Sequence, residues 1–125
     1  MKEALIVFVG SGLGGLTRWG SHKLMDIFYT STFPLTTLLV NIIASFLAGV
    51  LVALSVEKNI LDSHVQWFLI TGFCGGFSTF STFSEQNIQL LQAGAILPAI
   101  LYIILSVVLS IACCFLGHQI ISTYA

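Results

Sequence analysis

Residues 72 to 85 read GFCGGFSTFSTFSE. Phe77, Phe80 and Phe83 recur every third residue, with Ser78, Thr79, Ser81, Thr82 and Ser84 between and after them. On a helix each step of three drifts by about 60°, so the rings form an oblique stripe beside parallel stripes of hydroxyls. One reading is a Phe-packed core whose hydroxyls bond to their own backbone carbonyls. A second comes from Gly72, Gly75 and Gly76 just upstream, which permit a helix break. In a membrane such a break is tolerated only where the freed backbone lines a cavity or finds a partner. Freed carbonyls can hold a cation, and the N–H groups that open the next segment face an anion. Phenyl rings have positive edges that also suit an anion.

The second reading needs a bilayer, and composition supplies one. The chain has 125 residues, 57% hydrophobic and 7% charged, with a mean hydropathy of +1.02. Soluble domains carry about 25% charged residues, so this is expected to be a membrane protein. A spanning helix takes about 20 apolar residues, and the uncharged stretches place helices near 3–24, 34–56, 65–91 and 95–121. The first spans only if Arg18 and Lys23 snorkel to the interface. Pro34 opens the second helix, and Ala93-Gly94 makes a tight turn before the fourth. The fold class expected is all-α: four transmembrane helices with a break in the third, one integral membrane domain over 1–125. Lys2-Glu3 is a weak charged start, so the first helix is not read as a cleavable signal.

Orientation in a membrane follows Lys and Arg. Lys2 and Lys58 fall on one side, Arg18 and Lys23 on the other. The tie permits insertion both ways and an antiparallel homodimer, a two-chain version of the inverted repeats of transporters.

Gly10-Ser11-Gly12-Leu13-Gly14-Gly15 matches a dinucleotide fingerprint, but that motif needs a preceding strand. Inside a membrane helix, Gly10, Gly14 and Gly15 are read as sites of close helix approach. Arg18 is either an interfacial anchor beside Trp19 or a fixed positive charge at a vestibule. Asn41 lies within the second helix and shares a face with Thr37 and Ser45. Its amide either bonds between helices or donates to a permeating anion, since an unpaired amide in hydrocarbon is costly. Tyr102, Ser106 and Ser110 are four and four apart, a polar line that is either glue or a track. Cys74, Cys113 and Cys114 form no metal or redox pattern and are read as packing residues. His22, His64 and His118 fall at helix ends.

No acid lies along these stripes except Glu85, just past the hydroxyls. Cation pathways and proton-coupled pumps usually keep Asp, Glu or His in the span. Donors and ring edges instead favour weak binding and fast passage of a small hydrated anion. There is no nucleophile with an adjacent base, so an enzyme is not expected.

Gly14-Gly15-x-x-Arg18, Asn41 and the run from Gly72 to Phe83 resemble the Fluc/CrcB family of fluoride ion channels, and the likeness extends over essentially the whole chain. The resemblance implies passive fluoride export from the cytoplasm, which lowers fluoride toxicity, through two pores of an antiparallel dual-topology homodimer. It implies a fluoride pore drawn from Asn41, Phe80, Phe83, Ser81, Thr82, Tyr102, Ser106, Ser110 and Thr37, with Arg18 at a vestibule. It also implies a structural sodium ion at the dimer centre, held by the backbone carbonyls of Gly75 and Ser78. The partners implied are fluoride, a second antiparallel copy and the lipid bilayer, with no nucleic acid, in the bacterial inner membrane. One departure is Gln86, where members of the family often carry Glu. The runner-up is a small dual-topology proton-coupled drug or cation exporter, which would have to work through Glu85. A non-conducting assembly subunit held by glycine packing is a third possibility.

Overall fold

The structure is a computed structural model and describes residues 1–124. Every regular element among them is helical. Helix α1 (Lys2–Phe28) is followed by α2 (Leu35–Val56), which opens immediately after Pro34. The next stretch is composite. It begins as α3 (Ser63–Gln66), widens into a π-helical segment (Trp67–Cys74), tightens into α4 (Gly75–Phe77), breaks, and resumes as α5 (Phe80–Gln92). The last helix is α6 (Ile96–Tyr124).

Two elements are long and apolar enough by themselves to cross a bilayer: α2, with a mean hydropathy of 2.4, and α6, with 2.8. Glycine, hydroxyl and charged residues dilute α1, and the break divides the third stretch. Exposed Leu, Ile, Val and Phe side chains nevertheless run along α1, α2 and α6. An apolar surface of that extent belongs against lipid.

The elements pair as α2 with α6 and α1 with the π-helical segment and α4. Small residues set both contacts. A side chain at Gly49 would fall on the Cys114 carbonyl, and one at Gly117 on the Phe46 carbonyl. On the other side, Gly10 meets Phe68, Gly14 meets Phe73, and Gly76 meets Ser11, in each case at the backbone. Close backbone approach of this kind carries helix association where lipid removes the hydrophobic drive. Gly15, expected among these sites, faces open space instead, because it lies a quarter-turn beyond Gly14 and off the contact.

The links are short. Asn59 takes a left-handed backbone (φ 53) between α2 and α3, and Gly94 does the same (φ 74) between α5 and α6. Both residue types tolerate that region. Past the end of α2, Glu57 lies 3.4 Å from His118 of α6, and the Ser122 hydroxyl donates to the same carboxylate.

The glycine-rich run was expected to mark the break itself. Instead Gly72, Gly75 and Gly76 remain helical, and the chain leaves the helix two residues later, at Ser78 (ψ 158) and Thr79 (φ −151, ψ 121). The reason is visible in the packing. Gly72 and Gly76 are used to bring the chain against α1, whereas the extended pair is held by side chains, one from α1 and one from α2.

Candidate functional site

The break exposes backbone groups that a continuous helix would have satisfied internally. Each of the principal ones is claimed from elsewhere. Asn41 Oδ1 accepts from the Thr79 N–H at 2.8 Å, and Asn41 Nδ2 donates to the Thr79 carbonyl at 3.1 Å. Arg18 Nη1 donates to the Ser78 carbonyl at 3.0 Å. The Ser78 hydroxyl turns back to the Cys74 carbonyl at 2.8 Å. Thr79 then caps α5: its Oγ1 accepts from the Thr82 N–H at 3.2 Å and donates to Thr82 Oγ1 at 3.0 Å. A hydroxyl N-cap is a common way to restart a helix.

Beside the break is an open cleft of about 270 Å³, lined by Asn41, Ser45, Ser78, Thr79, Phe80, Phe83, Ser106, Val107, Ser110 and Ile111. No acid or base is among these residues. α5 begins at the cleft, with its N-cap Thr79 and first residue Phe80 in the lining, and a helix N-terminus carries a partial positive charge of roughly half an elementary charge. The two rings differ in setting: Phe80 is 77% exposed and Phe83 only 9%, with centroids 5.4 Å apart and planes tilted by 40°. Phe77, expected on the same stripe, lies on the far side of the break and is buried against Val40 and Ala44.

A second, larger cleft of about 500 Å³ opens between α1, the start of α2 and α5, beside the α5–α6 turn, and Thr37, Gln86, His22 and Asp26 are among its lining. Tyr102 separates the two. It is fully buried, its ring lies 5.1 Å from Phe83 and 5.6 Å from Phe33, and its hydroxyl donates to Gln86 Oε1 at 2.9 Å. The buried hydroxyls of Thr37 and Ser106 have no hydrogen-bond partner. One such orphan therefore borders each cleft.

The residues expected to form a pore are thus only partly assembled in one place. Asn41, Phe80, Phe83, Ser106 and Ser110 share the first cleft, Thr37 borders the second, and Tyr102 lies between them. Thr82 is engaged in the cap. Ser81 is exposed, 3.4 Å from Thr79 Oγ1. Asn41 was read as bonding between helices or as donating to an anion; it does the former, through the backbone of the break. Arg18 takes neither expected role alone, since its guanidinium reaches the Ser78 carbonyl. Ser78 and Thr79, which form the break and line the cleft, are not among the pore residues that the sequence suggests. Their signal was present, as hydroxyls directly after the glycines, but which residue would leave the helix was not encoded locally.

An all-helical membrane protein with an uncharged polar cleft at a helix break is the class that these features define. A family model described as CrcB-like protein, Camphor Resistance (CrcB), matches residues 5–118. The chain belongs to the CrcB-like family. It is 43% identical over 118 residues to a fluoride-specific ion channel FluC from Azobacteroides pseudotrichonymphae, covering 94% of each chain. It is 39% identical over 117 residues to the protein of that name from Flavobacterium psychrophilum, and 42% identical over 117 residues to that from Pyrococcus abyssi, again with 94% of each chain covered in both cases. All of these relatives are named as channels, not as enzymes.

Proposed function

We propose that this chain is a fluoride-selective ion channel that lets the anion leave the cytoplasm down its gradient. Cytoplasmic fluoride builds up when the neutral acid crosses the membrane and dissociates inside, and a passive exit relieves that load. The observation that carries the reading is the first cleft. Its polar lining consists of hydroxyls, an amide and a helix N-terminus, with two phenyl rings and no carboxylate, which suits a strongly hydrated anion exchanging water for hydrogen bonds. The names of the relatives support the same substrate.

The residues assigned to the path are Asn41, Phe80, Phe83, Ser81, Thr82, Tyr102, Ser106, Ser110 and Thr37, with Arg18 beside it. The whole chain forms one membrane domain. Its four spans are α1, α2, the broken third stretch and α6, in a bacterial inner membrane. The first cleft is open on one side, with Phe80 exposed, and an antiparallel second copy would cover it; two copies give two pores. The even split of Lys and Arg supports both insertions.

Sodium is assigned to the carbonyls of Gly75 and Ser78. The residues fit such an ion. Asn41 takes the Thr79 N–H, so the Gly75 carbonyl lacks its usual helical donor, and nothing stands within 4 Å of where a Gly75 side chain would begin. The Ser78 carbonyl accepts one hydrogen bond, from Arg18, and keeps a second lone pair; carbonyl oxygens are the donors that a hard cation takes. Bound there, sodium would supply a fixed positive charge between the two chains.

The test is fluoride efflux from liposomes containing the purified protein, followed with a fluoride electrode beside chloride-loaded controls. Rapid fluoride loss with chloride retained is expected. Efflux that needs an imposed proton or sodium gradient would return the chain to the coupled exporters.

A further inference from the structure

Among the described residues, Arg18 is the charged side chain that hydrogen-bonds to the break. Its Nη1 donates to the Ser78 carbonyl at 3.0 Å. Among the described residues no carboxylate pairs with it, the only ion pair there being His118 with Glu57. The arginine therefore brings an uncompensated positive charge to one of the two oxygens assigned above to sodium.

We propose that Arg18 competes with sodium for the Ser78 carbonyl, so that one side chain of α1 sets how tightly the break holds its cation. The inference rests on the sodium reading above. A carbonyl oxygen has two lone pairs, so hydrogen bond and metal contact are not mutually exclusive, but both make the same atom serve a positive charge. With a hydrogen bond of about 3 Å and a hard-cation contact of about 2.4 Å, the donating nitrogen would lie no more than about 5.4 Å from the cation. Repulsion at that range in a partly polar interior is worth on the order of a hundredfold in an equilibrium constant. Spreading of the guanidinium charge and solvent access reduce this to about tenfold. The arrangement thus weakens the cation site while keeping the carbonyl satisfied whenever the ion leaves. Arg18 is a positioning residue in this role, acting on the site through Ser78 without touching the permeating anion.

The experiment is a sodium titration of the purified protein in detergent, replacing N-methyl-D-glucamine chloride with sodium chloride at constant ionic strength and reading the melting temperature. The wild-type protein is expected to show a melting temperature that climbs with the logarithm of sodium once sodium exceeds its dissociation constant. Arg18→Gln, which can still donate but is neutral, is expected to begin that climb at about tenfold lower sodium. Arg18→Lys retains the charge and is expected to stay within about threefold of wild type. A purely structural arginine would give no gain in sodium affinity in Arg18→Gln, and that result overturns the proposal while leaving the sodium reading intact. A wild-type protein indifferent to sodium overturns both. If Arg18→Gln does not fold, citrulline introduced at position 18 by peptide ligation keeps the shape and removes the charge, and the same tenfold shift is required of it.

Discussion

Asn41 holds Thr79 by both of its backbone polar atoms, with its amide matched to one donor and one acceptor across the helix break. Asp at this position keeps the size but sets a carboxylate oxygen against the Thr79 carbonyl. Asn41→Asp is therefore expected to lose about 1–3 kcal/mol of stability, and fluoride efflux with it. Thermal unfolding in detergent measures the first, and wild-type stability in the variant would remove the clamp from the account.

Phe80 and Phe83 separate stability from transport. Truncating an exposed ring costs little, whereas opening a cavity at a buried one is costly. Phe80→Ile, exposed within one chain but covered in the proposed dimer, is expected to slow fluoride efflux strongly and to lower the melting temperature less than Phe83→Ile does. Phe83→Ile is expected to lower both, with a stability loss of about 1–2 kcal/mol. Normal efflux in Phe80→Ile would exclude the exposed ring from the path.

The pairing of α2 with α6 rests on glycines that leave no room for a methyl group. Gly49→Ala and Gly117→Ala are each expected to destabilise by about 1–3 kcal/mol through forced separation of backbones. Gly12→Ala and Gly20→Ala, whose added carbon meets nothing within 4 Å, are expected to be neutral or slightly stabilising by helix propensity. A parallel melting series on the four variants decides this.

Ser106 contributes a buried hydroxyl with no partner. Removing an unsatisfied polar group relieves a desolvation cost, so Ser106→Ala is expected to be at least as stable as wild type. Its fluoride efflux is expected to fall, because the orphan hydroxyl is a donor available to the anion. A drop in stability at unchanged efflux would instead mark Ser106 as a packing residue.

Much of this was legible in the chain. The sparse charge gave the bilayer, Pro34 and Gly94 marked helix boundaries, and the glycine–hydroxyl run announced a break. Where that break falls was not legible, because it depends on Asn41, 38 residues away in sequence. Glycine content says that a helix is weak; only a competing side chain says which peptide leaves it. The π-helical winding of Trp67–Cys74, which packs against α1, left no sequence signature. The same limit applied to Gly15, which belongs to the right pattern but to the wrong face. Arg18 and Gln86 were visible as residues, but their contacts to Ser78 and Tyr102 are properties of the packed state.

The uncharged lining of the first cleft has a consequence for the conditions under which the protein works. Amide, hydroxyl, phenyl and helix N-terminus neither gain nor lose a proton over any range a cell survives, so acidification leaves the chemistry of that surface unaltered. Acid surroundings are also when neutral hydrogen fluoride enters fastest. A lining of histidines or carboxylates would change character as the burden rose, whereas this cleft meets it with the same set of donors.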